Sequence, residues 1–244
     1  MINKLLTICV SWQRPELLKK MMNSFFNTRK IADLFIYICD DDPKLEEYKK
    51  LRDELPFDFF FEIGKHLYIG EVSNYVPTIK DYEYYQMIND DHEFIGEGWD
   101  VDMVEGLDKE GGWKLAASYM PEELMIDNHP DALKNPINAP TAEIFSRKII
   151  DALGFYNFPG FKQYGCDGYI MELGEDLGGI IPFCGKILHN CAQLHKMERD
   201  DVWKYIYSNE NKHQGDEIIK RWMLSRPLIR ERIKKAKEKE QWEN

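Results

Sequence analysis

Two short apolar runs, LLTICV at residues 5–10 and LFIYIC at 34–39, constrain this chain more than any other feature. Each is apolar almost throughout, the mark of a β-strand covered on both faces. Between them stand Pro15 and Glu16, good first-turn residues, then Leu17, Leu18, Met21, Met22, Phe25 and Phe26 at helical spacing. The two runs begin about thirty residues apart, which fits a strand–helix–strand crossover and therefore a parallel sheet. A second helix is expected in PKLEEYKKLRDEL (43–55). Further strands are expected in FDFFFE (57–62), YYQMI (84–88), WKLAAS (113–118) and GGIIPFCGKILH (178–189). The predicted class is α/β with a mostly parallel central sheet, and ligands of such sheets lie beyond the carboxyl ends of the strands.

That rule gathers three polar clusters at one edge. The first run exits into SWQRP, the second into CDDDP, and the run at 84–88 into Asn89, Asp90, Asp91 and His92. Taken alone, the last cluster is either a solvated turn or a seat for a magnesium- or manganese-type cation, which one or two carboxylates usually hold. An EF-hand is excluded, because the glycine and the glutamate that such a loop requires are missing.

Composition narrows the classes. With 244 residues, 43% hydrophobic and 13% aromatic, the chain can bury a large core. A formal net charge of −11 argues against general nucleic-acid binding, and an anionic substrate would need a cation or a local basic patch. The N-terminus does not read as a signal peptide, and no apolar run is long enough to cross a membrane. The five cysteines contain no C-x-x-C and read as reduced thiols of a cytoplasmic protein. RPLIRERIKKAKEKEQ, within residues 226–241, reads as a solvated amphipathic helix or as a basic arm.

The motifs, taken in order, resemble the GT-A glycosyltransferases, family 2 in particular. SWQRPELL (11–18) resembles that family's first strand exit, although Gln13 replaces the usual Asn. YICDDDP (37–43) is similar to its second, and INDDHEFIGEGWD (88–100) to its D-x-D region. The closest pattern is a branch frequent among virus-encoded transferases, reading Asp-Asp-His and then Gly-Trp-Asp. AEIFSRKIIDALGFYNFPGFKQYGCDGYIMELGEDLGGIIPF (142–183) resembles the acceptor half.

The resemblance implies one GT-A domain over residues 1–205, with a nucleotide-sugar half (1–100) and an acceptor half (101–205). A basic helical extension follows at 206–244. It implies a nucleotide-diphosphate sugar donor, a UDP-sugar foremost, and Mn²⁺ or Mg²⁺. Ser11, Arg14, Asp40, Asp42, Asn89 and Asp90 are expected at the donor. Asp91 is expected on the metal, with His189 or the fallback His195; Cys191 and Ala192 depart from the second histidine and proline of the branch. His92 is expected to be a bystander. Asp167, Glu172, Glu175 and Asp176 compete for the catalytic base, and Asp167 is chosen because the family's base precedes a helix of about three turns that closes on a glycine. Trp99 and Tyr164 are expected to face the acceptor, which could be a glycan, a protein side chain, a small molecule or a hydroxylated base in DNA. Two other classes compete: a metal-dependent phosphoryl-transfer enzyme and a non-catalytic sugar-binding module.

Overall fold

The computed structural model describes residues 3–119, 140–162, 165–184, 186–190, 204 and 208–243. Seven strands form one sheet in the order β3-β2-β1-β4-β7-β6-β8. β1 (Asn3–Ser11) lies between β2 (Ala32–Cys39) and β4 (Tyr82–Asn89), parallel to both. β3 (Phe60–Gly64) extends the parallel set at one edge. β7 (Thr141–Ser146) runs antiparallel to both β4 and β6 (Leu115–Tyr119), and β8 (Ile180–Cys184) pairs parallel to β6. The mostly parallel sheet expected from the crossover spacing is therefore present. β7 was not foreseen.

Alternation along β1 sends successive side chains to opposite faces. Leu6 and Ile8 join Tyr85, Met87 and Phe145 on one face. Leu5 and Cys9 join Leu34, Ile36 and Ile144 on the other. The second face is covered by α1 (Pro15–Thr28), α2 (Leu45–Glu54) and α4 (Trp99–Lys109), through residues such as Met21, Phe25, Tyr48 and Met103. The first is covered by α3 (Ile69–Ile79), α5 (Arg147–Leu153), α6 (Cys166–Asp176) and α7 (Asn209–Glu243). The region 178–189, expected as one strand, divides: β9 (Ile187–His189) leaves the main sheet and pairs antiparallel with β5 (His92–Phe94).

The basic segment is the inner part of α7, not a free arm. Trp222, Ile229 and Ile233 bury into the core. Arg226 donates to both carboxylate oxygens of Asp176, at 2.7 and 2.8 Å, and pairs with Glu172; Arg230 donates to Asp176 at 2.8 Å. Further along, Glu240 accepts from Trp113 and Lys148. The helix passes Gly160 and Gly165 at Ile218 and Ile219 and reaches Trp113 some twenty residues later. At 1.5 Å per residue its basic end lies roughly 30 Å from the loop that precedes α6.

Candidate active site

The exits of β1, β2 and β4 meet at the carboxyl edge of the sheet, as the parallel arrangement requires. Ser11, at the end of β1, donates to Asp90 Oδ2 at 2.7 Å and shares a 2.8 Å contact with the Tyr48 hydroxyl. Arg14 Nη1 reaches Asp90 Oδ1 at 3.4 Å. Asp90 is buried, and burial raises its pKa, with Arg14 opposing and Asp91 adding to the rise. Asp42 accepts from the backbone amides of Gln13 at 2.8 Å and Lys44 at 2.7 Å, which ties the β2 exit to the β1 exit. Gln13 sits at φ 60°, a left-handed conformation that Asn adopts more readily than Gln.

β5 and β9 assemble the second half of the cluster. Their register sets His92 opposite His189, and the two rings stack at 4.6 Å with 6° between their planes. The Asn190 amide donates to the Asp91 carbonyl at 2.9 Å. His189 Nε2 thereby stands 3.2 Å from Asp91 Oδ1. His92 is committed elsewhere: its Nδ1 accepts from the Asn89 amide at 2.8 Å and its Nε2 contacts the Thr141 hydroxyl. Burial, then the neighbouring His189, push His92 down to about 3, so it is a neutral positioning ring.

Asp91 Oδ1 is buried and receives no hydrogen bond, an unusual state for a carboxylate oxygen. Burial would raise this carboxyl, but the imidazoles of His189 and His92 and the Arg14 guanidinium outweigh it and hold Asp91 well below the usual range. Conversely, burial opposes protonation of His189, and Asp91, Asp167 and Asp90 together lift it above the ordinary histidine value. An orphan carboxylate oxygen facing an imidazole nitrogen is the chemistry of a cation seat. Adjacent ligands of an octahedral ion bound at 2.0–2.1 Å stand about 3 Å apart, close to the 3.2 Å observed here. The residues therefore fit a divalent ion, which Asp91 and His189 could hold.

Asp167 lies in the first turn of α6, after Gly165 at φ 91°. A Cβ on Gly165 would lie 2.9 Å from Phe161, so this turn requires glycine. The helix ends at Asp176 and is followed by Gly178, the length expected for a base-bearing helix. Asp167 is exposed to solvent, and desolvation by neighbouring groups raises its pKa while His189 lowers it.

Sequence reasoning missed Glu143 on β7. It is 9% exposed, and burial followed by Asp167 pushes its carboxyl up to about 8. Also missed was an aromatic corner at the β1 and β3 exits, where Trp12 meets the edge of His66 at 4.6 Å and His66 meets Tyr68 at 5.0 Å. Asp40 is exposed beside it, its amide bonded to the Gly64 carbonyl at 2.6 Å.

Three residues expected at ligands are engaged within the fold. Trp99 is 0% exposed, packed against Phe25 and Phe94, and has no face for an acceptor. Ser11 is buried with its hydroxyl engaged by Asp90 and Tyr48, and Asp42 is buried with its carboxylate engaged by backbone amides. Asn89 is half-buried at the end of β4. Tyr164, His195, Cys191 and Ala192 lie outside the described residues.

No family model matches the chain, and no curated protein sequence matches it. Solved structures do. TarS 1–349 of S. aureus in complex with UDP-GlcNAc superposes with a TM-score of 0.54 at 10% identity, over 90% of this chain and 71% of that one. The mannosyltransferase PcManGT of Pyrobaculum calidifontis, in complex with GDP-Man and Mn²⁺, gives 0.54 at 9% identity, over 97% and 74%. The 4-diphosphocytidyl-2C-methyl-D-erythritol synthase of Anaerococcus prevotii gives 0.51 at 13%, over 75% and 87%. The fold is thus of the GT-A type, with a seven-stranded, mostly parallel sheet and a C-terminal helix.

Proposed function

We propose that this chain is a metal-dependent, inverting glycosyltransferase that moves a sugar from a nucleotide-diphosphate sugar, a UDP-sugar foremost, to an acceptor hydroxyl. The observation that carries the reading is the pair of buried Asp91 Oδ1 and His189 Nε2, 3.2 Å apart at the carboxyl edge of the sheet, with Asp167 near enough to His189 to raise its pKa. Fold neighbours that bind UDP-GlcNAc, or GDP-Man with Mn²⁺, support the choice of donor class.

Asp91 and His189 would hold Mn²⁺ or Mg²⁺, which, when bound, supplies a Lewis acid that neutralises charge on the leaving diphosphate. Arg14 and Ser11 fix Asp90, so that the turn keeps its shape when an anion arrives. The nucleobase would lie at the exposed corner of Asp40, Trp12, His66 and Tyr68, where rings and a carboxylate offer stacking and a hydrogen-bond acceptor. Asp167 would take the proton of the acceptor hydroxyl as its oxygen bonds to the anomeric carbon and the nucleoside diphosphate departs. A single displacement of this kind inverts the anomeric centre. The raised pKa of Asp167 suits a base, and general-base assistance is typically worth about 10²–10⁴-fold.

The test combines binding and turnover. A thermal-shift panel of nucleotide-diphosphate sugars with and without Mn²⁺ should give a metal-dependent rise with one donor. Asp167→Asn should keep that rise while donor turnover falls by about 10²-fold or more. A panel with no metal-dependent rise from any donor defeats the proposal, and full turnover in Asp167→Asn removes the base assignment.

A further inference from the structure

A second cluster of metal-binding side chains lies at the exit of β2, away from Asp91 and His189. The ligand atoms of Cys39, Asp41 and His66 all lie within 4.8 Å of one another. His66 Nδ1 is 3.0 and 3.1 Å from the two oxygens of Asp41. Cys39 closes β2 and is buried, its Sγ making a weak 3.6 Å contact with the Leu67 carbonyl. The three come from the β2 exit and the segment after β3, joined through the Asp40 amide to the Gly64 carbonyl and through the Tyr37 hydroxyl to the Lys65 carbonyl at 2.8 Å.

We infer that Cys39, Asp41 and His66 form a site for a thiophilic divalent cation of the zinc type. Thiolate and imidazole favour Zn²⁺ over Mg²⁺ or Mn²⁺, whereas the Asp91–His189 pair has no sulfur. Ligands of a tetrahedral zinc ion at about 2.0–2.3 Å stand roughly 3.3–3.7 Å apart, so small side-chain rotations close the cluster around one ion and leave a fourth position open to water. Local charge points the same way: Asp40, Asp41 and Asp42 stand together at the β2 exit and draw a cation in, and the thiol gives its proton to solvent as the sulfur binds. A filled site would pin the segment carrying His66 and Tyr68 to the β2 exit. It needs nothing from the glycosyltransferase reading.

Cobalt(II) titration of the full chain tests it, because only a sulfur ligand gives the thiolate-to-cobalt charge-transfer band in the near ultraviolet. The expected result is a band that saturates at one equivalent per chain, is lost in Cys39→Ser, weakens at least several-fold in His66→Ala, and persists in Asp91→Asn. Zn²⁺ should bleach it and raise the midpoint of thermal unfolding in wild type but not in His66→Ala. His66→Ala removes a surface ring and keeps the test valid if Cys39→Ser does not fold. No band in wild type, or a band unchanged in His66→Ala, overturns the inference. A donor panel that fails leaves these results as they stand, so the two readings fail separately.

Discussion

Asp100, in the Gly-Trp-Asp segment at residues 98–100, staples two elements together, so its removal makes a sharp prediction. Asp100 is 0% exposed and opens α4 after Gly98, whose φ is 68°. Its Oδ2 accepts the backbone amides of Lys30, Ile31 and Ala32 at 2.8, 2.6 and 2.8 Å, and its Oδ1 accepts that of Val101 at 3.0 Å. One carboxylate thus joins the start of β2 to the start of α4. Hydrogen bonds to a charged group contribute about 1.5–3 kcal/mol each. Four such bonds do not add, because Lys30 and Ile31 are exposed and water can satisfy their amides once the carboxylate is gone. Ala32 is buried, and its amide would be stranded beside a small void. The expected cost of Asp100→Ala is therefore about 3–5 kcal/mol, a large part of the stability of an ordinary domain. For a chain of this size that corresponds to a fall of roughly 6–20 °C in Tm. Asp100→Asn, which keeps the shape and one acceptor oxygen, should lose less than half as much. Urea unfolding and calorimetry measure both. If Asp100→Ala stays within about 1 kcal/mol of wild type, or Asp100→Asn loses turnover at unchanged stability, the staple is wrong and the segment is a ligand site after all.

Two further perturbations probe the site itself. Asp91→Asn removes one of the two proposed metal holders, and the Mn²⁺-dependent part of any donor-induced thermal shift should vanish while turnover falls about 10²-fold or more; a shift that survives moves the metal elsewhere. Glu143→Gln tests the buried carboxyl on β7. Its folded pKa, raised to about 8, lies above the unfolded value, so its stability contribution is complete below about pH 4.5 and is lost as pH rises through 8. Glu143→Gln should therefore gain on wild type across that window, by on the order of 3–5 kcal/mol, and parallel unfolding curves at pH 5 and pH 8 would refute the assignment.

The sequence carried the parallel half of the sheet plainly, because LLTICV and LFIYIC can only be covered strands and their spacing admits one kind of connection. It also carried the convergence of SWQRP, CDDDP and the Asn89–His92 cluster, which follows from strand direction alone. β7 escaped because all six of its residues, Thr141–Ser146, are buried and no alternation marks them. The partnership of His92 with His189 escaped for another reason: β5 and β9 are three residues each, too short for propensity to register, and their pairing depends on contacts nearly a hundred residues apart. Ser11, Asp42 and Trp99 pose a common ambiguity. A polar or aromatic residue at a strand exit serves a ligand or the turn itself, and composition does not separate the two. The basic residues of α7 posed the same ambiguity: Arg226 and Arg230 are taken by acids on α6 remote in sequence, whereas Lys234 and Lys235 stay exposed in i,i+4 pairs.

Under the proposed function, the electrostatics of the edge account for how so acidic a chain receives a diphosphate. On the donor side three described carboxylates face partners: Asp90 meets Ser11 and Arg14, Asp42 meets two backbone amides, and Asp91 meets His189. An incoming anion there meets a guanidinium, an imidazole and the metal-holding pair before it meets bare negative charge. Glu143 and Asp167 differ, for both carboxyls are raised by desolvation, and Glu143 feels Asp167 directly. That asymmetry suits a displacement in which negative charge departs on one side and a proton is taken up on the other. It also bears on the acceptor. A polyanion approaching Asp167 would meet that exposed carboxyl, while Arg226 and Arg230 of α7 are engaged by Asp176 and the far end of that helix lies roughly 30 Å along its axis from the loop that precedes α6. Under the proposed function, an acceptor that presents an uncharged hydroxyl to Asp167 therefore fits this site better than a nucleic acid does.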